Sequence, residues 1–295
     1  MENRPVDWRR AERTAIVGDR ELTYVDLGDP GSERIVVLLH GIAASWRWFT
    51  PVMPALAERS RVLAVDLPGF GGSALPREGL TFDAMADAVD QLVDDLGLGP
   101  VDVMGHSMGS IVGTRLALDH PARVRRLVLT GGPVLGLVDL PRHPVRVLTR
   151  EPRAVTTLLR QLATIGLPLP APAAELVARS GLVRRVAMRG FVARPQDLPS
   201  PVVRDVMREL GARGTIPALV SAFGDDPSRG LDALRTPTLI LRGAHDPLST
   251  PRDVDRFART AHDVRVVTLD HVGHWPQIED PATFVREVRA FLDED

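Results

Sequence analysis

The chain of 295 residues has no cysteine and no lysine, and Tyr24 is its only tyrosine. Without cysteine it can form no disulfide, no thiolate metal site and no cysteine nucleophile. Without lysine it can form no Schiff base, because arginine accounts for all 36 basic residues and does not act as such a nucleophile. These absences exclude covalent catalysis by thiols and by lysine.

A strong charge imbalance and long apolar runs are missing as well. The formal net charge is −2, which gives no reason to expect a nucleic-acid partner. No apolar run approaches the roughly 20 residues that a membrane-spanning helix needs. The first eight residues are charged and lack the apolar core of a secretory signal, so we expect a cytoplasmic protein.

The most informative segment that is present is Gly-His-Ser-Met-Gly at residues 105–109. It follows an apolar run and precedes a helix-like stretch, so Ser107 is predicted to lie in a sharp strand-to-helix turn. Gly105 and Gly109 would remove the clashes that bulkier residues create in such a turn. The following helix would point its free N–H groups at the Ser107 hydroxyl. This pattern is typical of a nucleophilic serine.

A nucleophilic serine needs a base and an acid, and the C-terminal part of the chain supplies both in the order acid, base. Asp246 follows the strand-like run 238–243, and active sites in parallel sheets collect just past such strand ends. His271 and His274 follow the next strand-like run, and either fits the base by position. Asp270 is an alternative acid because it lies close to both histidines in sequence.

An oxyanion site is predicted after the continuous apolar run 35–39, which is typical of a buried parallel strand. A backbone donor belongs in the loop after this strand, so we assign the oxyanion hole to the N–H groups of Ile42 and Met108. His40 and Asp66 are interpreted as residues that shape their loops.

These segments together resemble an α/β-hydrolase-fold serine hydrolase of the esterase or lipase type. The matching pieces are residues 40–41, 66–73, 105–109, 243–246 and 273–276. The resemblance implies an α/β fold with a mostly parallel eight-stranded sheet, flanking helices and an inserted helical cap. It selects His274 as the base, because the catalytic histidine of the family follows a glycine. It implies a triad of Ser107, Asp246 and His274 that needs no metal or organic cofactor.

The domain boundaries follow from where the alternation of strands and helices stops. We predict an α/β core of residues 1–132 and 236–295, and a helical cap (lid) of residues 133–235 that forms one wall of the pocket. The predicted cap holds fifteen of the 36 arginines but nine of the 38 acidic residues. We interpret this surplus as solvated helix faces, with attraction of an anionic substrate or an acidic acyl-carrier protein as the alternative.

Four residues near the predicted catalytic groups are candidates for the substrate pocket. Trp46 and Trp48 follow the oxyanion loop, His106 precedes Ser107, and Trp275 follows the base. We predict that these four side chains line the pocket, while core packing is the alternative interpretation. Thr81, Thr250 and Asp280 are predicted to cap the N-termini of three helices in the core, two of them followed directly by proline.

The predicted function is hydrolysis of a carboxylic ester, lactone or thioester of a small hydrophobic substrate through an acyl-enzyme on Ser107. The partner is a small-molecule acyl substrate, with neither nucleic acid nor a membrane span. The resemblance also brings in carbon–carbon hydrolases of dienoic ring-cleavage products, through Trp275 and a lid arginine that would be Arg184, Arg185 or Arg189. A polyketide-type thioesterase, a perhydrolase and a non-enzymatic small-molecule receptor of the same fold remain further alternatives.

Overall fold

The computed structural model describes residues 6–77, 79–135, 144–150, 155–156 and 169–294. Its strands are β1 Glu12–Val17, β2 Arg20–Leu27, β3 Ile35–Leu39, β4 Arg61–Val65, β5 Val101–His106, β6 Val124–Thr130, β7 Thr238–Gly243 and β8 Val264–Leu269. They form one eight-stranded sheet in the order β1-β2-β4-β3-β5-β6-β7-β8. β1 and β2 pair antiparallel, β2 pairs antiparallel with β4, and β3 to β8 run parallel. The predicted mostly parallel, eight-stranded sheet is therefore confirmed.

Side chains alternate between the two faces of the sheet and build a core on each face. Val37 and Leu39 of β3 face one apolar cluster, and Val36 and Leu38 face the other. The same alternation occurs in β4. Leu63 and Val65 belong to the first cluster, and Val62 and Ala64 belong to the second. Burial on both faces explains why the central strands are continuous apolar runs rather than alternating ones.

Helices cover both faces of the sheet and fill the connection between β6 and β7. The described helices are α1 Trp8–Ala11, α2 Met53–Leu56, α3 Phe82–Asp95, α4 Met108–Asp119, α5 Pro144–Arg150, α6 Ala171–Arg179, α7 Gly181–Ala187, α8 Ser200–Glu209, α9 Thr215–Gly224, α10 Pro251–Thr260, α11 Pro276–Glu279 and α12 Pro281–Leu292. Within this described part of the chain, no helix is both long and apolar enough to cross a membrane.

The three predicted helix caps are confirmed. Thr81 accepts a hydrogen bond from the N–H of Ala84 at the start of α3, at 3.1 Å. Thr250 and Asp280 accept in the same way at the starts of α10 and α12. These side chains satisfy backbone donors that the first helical turn leaves free.

The cap segment, defined as residues 133–235, lies between β6 and β7. In its described part the chain forms helices α5 to α9, and residues 136–143, 151–154 and 157–168 lie outside the described residues. Apolar side chains of α6 and α8 pack with Ala44, Trp48 and Trp275 in a third apolar cluster. The segment therefore rests on the edge of the sheet where the loops after β3 and β8 lie.

Candidate active site

Ser107 occupies a strained turn between β5 and α4. Its φ of 52° is in the left-handed region that residues with a side chain rarely adopt. A Cβ on Gly105 would lie 2.2 Å from the carbonyl oxygen of Gly109, and a Cβ on Gly109 would lie 2.1 Å from that of Leu39. Both glycines are required because α4 crosses the strand ends too closely for any side chain, as the sequence predicted.

The structure brings Ser107, His274 and Asp246 into one hydrogen-bonded chain. The Ser107 Oγ lies 3.1 Å from Nε2 of His274, and Nδ1 of His274 lies 2.9 and 3.0 Å from the two carboxylate oxygens of Asp246. All three side chains are buried. By contrast, Asp270 and His271, the alternatives by sequence position, are both exposed.

Asp246 is held in its charged form. Burial by itself would raise the pKa of Asp246, but His274 and the backbone N–H groups of Leu248 and Ser249 outweigh that effect and bring the pKa below its ordinary value. A charged Asp246 accepts the Nδ1 proton of His274. The Nε2 lone pair is then free to accept the hydroxyl proton of Ser107, which is the arrangement that a general base needs.

The backbone of His274 is tied on both sides. Its N–H donates to the carbonyl of Phe191 in the cap segment at 2.6 Å. Its carbonyl accepts the Nε2 proton of His106 at 3.0 Å. Burial, reinforced by the neighbouring His274, lowers the pKa of His106 to about 3, so His106 is a neutral donor. His106 therefore positions the backbone of His274.

The loop after β3 lies directly against Ser107. A Cβ on Gly41 would be 2.9 Å from Nδ1 of His106 and 3.2 Å from Cβ of Ser107. Neither the N–H of Ile42 nor that of Met108 has a hydrogen-bond acceptor among the residues that the structure describes. Within the described part of the chain, two backbone donors without an acceptor thus lie in the loop after β3 and at the start of α4.

Two buried side chains, those of His40 and Asp66, connect the loop after β3 to the loop after β4 by hydrogen bonds. Nε2 of His40 accepts the N–H of Leu67 at 3.0 Å, and burial lowers the pKa of His40 to about 4. Asp66 accepts the N–H groups of Trp46 and Gly72 at 2.7 and 2.9 Å. Burial raises the pKa of Asp66 to about 6 against those two donors. Both residues shape their loops, as the sequence predicted.

Three of the four predicted pocket residues surround His274. The rings of Trp48 and Trp275 lie 4.9 Å apart, the ring of Trp48 lies 5.7 Å from His106, and the ring of His106 lies 5.1 Å from His274. Trp48 and Trp275 also pack against the cap segment. They form an aromatic wall between His274 and the cap-segment helices.

The assignment of Trp46 to the pocket is wrong. Its indole N–H donates to Glu12 of β1 at 3.1 Å, and its ring packs 5.6 Å from Trp8 in the second apolar cluster of the core, apart from the cluster that holds Trp48 and Trp275. Trp46 and Trp48 belong to one 3-10 turn, Trp46–Phe49, which turns the two indole rings away from each other. Proximity in sequence therefore did not mean a shared wall.

Arg184 is also not available as a lid arginine for a substrate. It is 4% exposed, and its guanidinium donates to the carbonyls of Ala178 and Leu198. Its hydrogen bonds connect the end of α6 to the turn before α8, so Arg184 stabilises the cap segment itself. Arg185 and Arg189, the other two candidates, are exposed.

Two carboxylates beside the site were missed by the sequence analysis. Glu209 at the end of α8 accepts the hydroxyl proton of Ser45, and burial raises the pKa of Glu209 to about 7. Glu279 accepts three backbone N–H groups around His274. Glu279 carries a local signal, since it closes the short helix that follows the base. Glu209 carries none, because its partner is 164 residues away.

A cleft of about 590 Å³ opens between the cap segment and the core, beside the oxyanion loop. Its lining includes Ala44, Glu209 and the arginines Arg47, Arg208 and Arg213. Arginines therefore outnumber carboxylates around this cleft. Among the described residues, no group of three or more histidine, aspartate or glutamate side chains is placed to hold a metal ion.

Comparison with known proteins shows the family of the chain. The family model described as alpha/beta hydrolase fold matches residues 34–281. A pimeloyl-(acyl-carrier protein) methyl ester esterase of Neisseria meningitidis is 28% identical over 273 residues, which cover 90% of this chain and 95% of that protein. A 2-hydroxy-6-oxononadienedioate/2-hydroxy-6-oxononatrienedioate hydrolase of Pseudomonas putida is 30% identical over 286 residues, 93% of this chain and 92% of that protein.

Solved structures show the same fold. The enol-lactonase of Burkholderia xenovorans LB400 superposes with a TM-score of 0.72 over 96% of this chain and 100% of that chain, at 23% sequence identity. At this level of identity the likeness concerns the fold alone.

Proposed function

Because the chain belongs to the alpha/beta hydrolase fold family, we propose that it is a serine hydrolase of carboxylic esters, lactones or thioesters of small hydrophobic substrates. The observation that carries the proposal is the buried chain of hydrogen bonds from Ser107 through His274 to Asp246. It joins a nucleophile, a base and an orienting acid at hydrogen-bond distances, which is the arrangement that activates a serine at neutral pH.

In the proposed mechanism Ser107 attacks the carbonyl carbon of the substrate while His274 takes its hydroxyl proton. Asp246 keeps the imidazole in the required tautomer and stabilises the imidazolium that forms. The N–H groups of Ile42 and Met108, which have no acceptor among the described residues, stabilise the oxyanion of the tetrahedral intermediate.

Collapse of this intermediate releases the leaving group, which receives its proton from His274, and leaves an acyl group on Ser107. His274 then activates a water molecule that attacks the acyl-enzyme. A second tetrahedral intermediate uses the same oxyanion donors. Its collapse returns the proton to Ser107 and releases the carboxylic acid.

The cap segment, residues 133–235, is proposed to be the lid over this site, and residues 1–132 and 236–295 the core that carries the catalytic groups. The lid would supply the pocket wall opposite Ser107, with Trp48 and Trp275 between it and the base. The support is the third apolar cluster, in which these two rings pack against α6 and α8. Size selection of the acyl group would then lie in the contact between lid and core.

An anionic or carrier-linked substrate is a refinement of this proposal. Arg47, Arg208 and Arg213 around the cleft beside the oxyanion loop would attract negative charge. The Neisseria relative is named for an acyl-carrier-protein ester. We expect a carboxylated ester to be turned over faster than a neutral one of equal length, with the advantage falling as salt is raised.

Carbon–carbon hydrolysis of dienoic ring-cleavage products is the second candidate. It is favoured by the Pseudomonas relative, named as a dienedioate and trienedioate hydrolase. Arg185 or Arg189 would then have to meet the substrate, since Arg184 is occupied within the cap segment.

Turnover of a chain-length series of p-nitrophenyl esters, together with a dienoic ring-cleavage product, tests the proposal. Ser107→Ala is expected to lower kcat by about 10⁴-fold or more, because the nucleophile is lost while folding is retained. Ser32→Ala, in a loop at the opposite end of β3, is the matched control and should keep full activity.

The outcomes separate the candidates. Ester turnover that Ser107→Ala abolishes supports the acyl-enzyme route, and the best chain length then measures the pocket. Turnover of the dienoic compound alone would favour carbon–carbon hydrolysis. Labelling of Ser107 by one equivalent of ester, without steady-state product, would favour a receptor.

A further inference from the structure

The three peptide N–H groups of residues 273–275 donate to groups from outside their loop. The N–H groups of Gly273 and Trp275 donate to the carboxylate of Glu279, at 2.9 and 3.1 Å. The N–H between them, that of His274, donates to the carbonyl of Phe191. Three consecutive peptides are thus oriented by one carboxylate and by the cap segment.

The same carboxylate also binds the cap segment. The N–H of Ala193 donates at 2.8 Å to the Glu279 oxygen that accepts the N–H of Gly273. Residues 191–193 are therefore seated directly on the loop that carries the base.

We propose that Glu279 is a positioning residue that couples residues 191–193 of the cap segment to residues 273–275, so that His274 is aligned with Ser107 only while these residues are docked. The proposal rests on the proposed function, in which His274 is the base. It assigns the cap segment a task beyond forming a wall, because docking of the cap would complete the catalytic geometry.

The local sequence explains how Glu279 reaches three donors. Trp275 caps the short helix α11, and the carbonyl of Trp275 accepts the N–H of Glu279 at 2.8 Å. This turn folds the Glu279 side chain back over the start of its own helix. A carboxylate has two oxygens with enough lone pairs for three donors, whereas a neutral amide has one such oxygen.

The three backbone donors stabilise a charged acceptor at this position, whereas burial disfavours it. Burial raises the pKa of Glu279, and the N–H groups of Gly273, Ala193 and Trp275 oppose that rise by stabilising the charged form. Hydrogen bonds to a charged acceptor are shorter and stronger than those between neutral groups. If the carboxylate is removed, partly buried N–H groups lose their acceptor and the two loops lose their shared anchor.

Glu279→Gln tests the proposal, with Asp280→Asn as the matched control. The control removes the neighbouring carboxylate, which accepts only the N–H of Thr283 at the start of α12, and asparagine is an equally good cap there. Two rates are measured on folded protein: ester turnover, and labelling of Ser107 by a fluorophosphonate, which needs the base but no particular substrate. Amide hydrogen exchange is followed at residues 193, 273 and 275.

We expect Glu279→Gln to lower kcat and the labelling rate by about 10- to 100-fold with KM changed by less than about threefold, because the base is displaced while the pocket remains. Exchange at the three amides should rise while that of the central strands stays unchanged. Asp280→Asn should match the wild type in both rates. If Glu279→Gln does not fold, Glu279→Asp, which keeps the charge but is one methylene shorter, should show the same pattern to a smaller degree.

Two results would overturn the proposal in distinguishable ways. A wild-type protein that the fluorophosphonate does not label would refute the proposed function, and this inference with it. Labelling of the wild type and of Glu279→Gln at equal rates, with faster exchange at the three amides, would leave the serine hydrolase in place and show that Glu279 is structural only.

Discussion

The core and the cap segment hold their important polar residues in different ways. In the core, Ser107, Asp246 and His274 stand just past the ends of β5, β7 and β8, where local backbone geometry directs them. In the cap segment, Arg184 and Glu209 are held by partners that no local rule selects. The proposed catalytic groups therefore depend on the sheet, whereas the cap segment depends on its packing against that sheet.

Polar contacts join the two regions beside the third apolar cluster. Glu209 meets the oxyanion loop, residues 191–193 meet the base loop, and the N–H of Gly214 donates to the carbonyl of Gly69 at 2.8 Å. Both halves of the proposed catalytic machinery are thus touched by the cap. Changes in the cap should lower the rate of catalysis partially, whereas loss of Ser107, Asp246 or His274 should abolish it.

Arg184→Met should have the largest effect on stability, because it leaves the carbonyls of Ala178 and Leu198 buried without a donor. We expect the free energy of unfolding to fall on the order of 3 kcal/mol in urea denaturation. Arg185, the exposed neighbour, provides the control. The free energy of unfolding of Arg185→Met should stay within about 0.5 kcal/mol of that of the wild type. An Arg184→Met protein of unchanged stability that loses binding of a dienoic substrate would instead make Arg184 a ligand for substrate.

Trp46 and Trp48 are two residues apart, but Trp46 packs in the core and Trp48 packs against the cap segment. Substituting each in turn therefore compares the two kinds of contact. Trp46→Leu should cost about 2 kcal/mol of stability by leaving a void in the core, with KM unchanged. Trp48→Leu should change KM and the preferred acyl chain length, because Trp48 stands between the base and the cap helices. Paired denaturation curves and ester chain-length profiles check this, and a shift of chain-length preference in Trp46→Leu would contradict it.

Glu209→Gln should produce the smallest effect, and one that depends on pH. The pKa of Glu209 is raised to about 7 from 4.5, so the fold favours the neutral carboxyl. Its contribution to stability is fully present below pH 4.5, declines as the pH rises, and is lost above about 7. Ser45, Asp66, Arg47 and Asp205 are the groups that act on it.

Glutamine stays neutral throughout, so the variant and the wild type should melt alike near pH 4, where the carboxyl is protonated in both the folded and the unfolded state. Near pH 8 the variant should be more stable, on the order of 1 kcal/mol for a partly buried group. Thermal melts at several pH values measure the difference. A constant difference at all pH values would show that Glu209 does not titrate in this range.

The strongest local patterns of the sequence were predictive. The two glycines around Ser107 indicated a turn that admits no side chain, and the structure requires both. The continuous apolar runs indicated strands buried on both faces, and Thr81, Thr250 and Asp280 marked helix starts. Each of these signals is encoded within a few residues of where it acts, which is why sequence alone sufficed.

The sequence by itself determined the fold family, the sharp turn at Ser107 and the order of the acid and the base, because steric limits and strand periodicity act over short stretches of chain. Only the tertiary structure decided that Trp46 faces the core, that Arg184 is internal, and that Glu279 joins the cap segment to the base. Glu279 meets Ala193 across 86 positions of sequence. Such contacts depend on how whole layers pack. The short helix that Glu279 closes indicates its place beside His274 but not its contact with the cap segment.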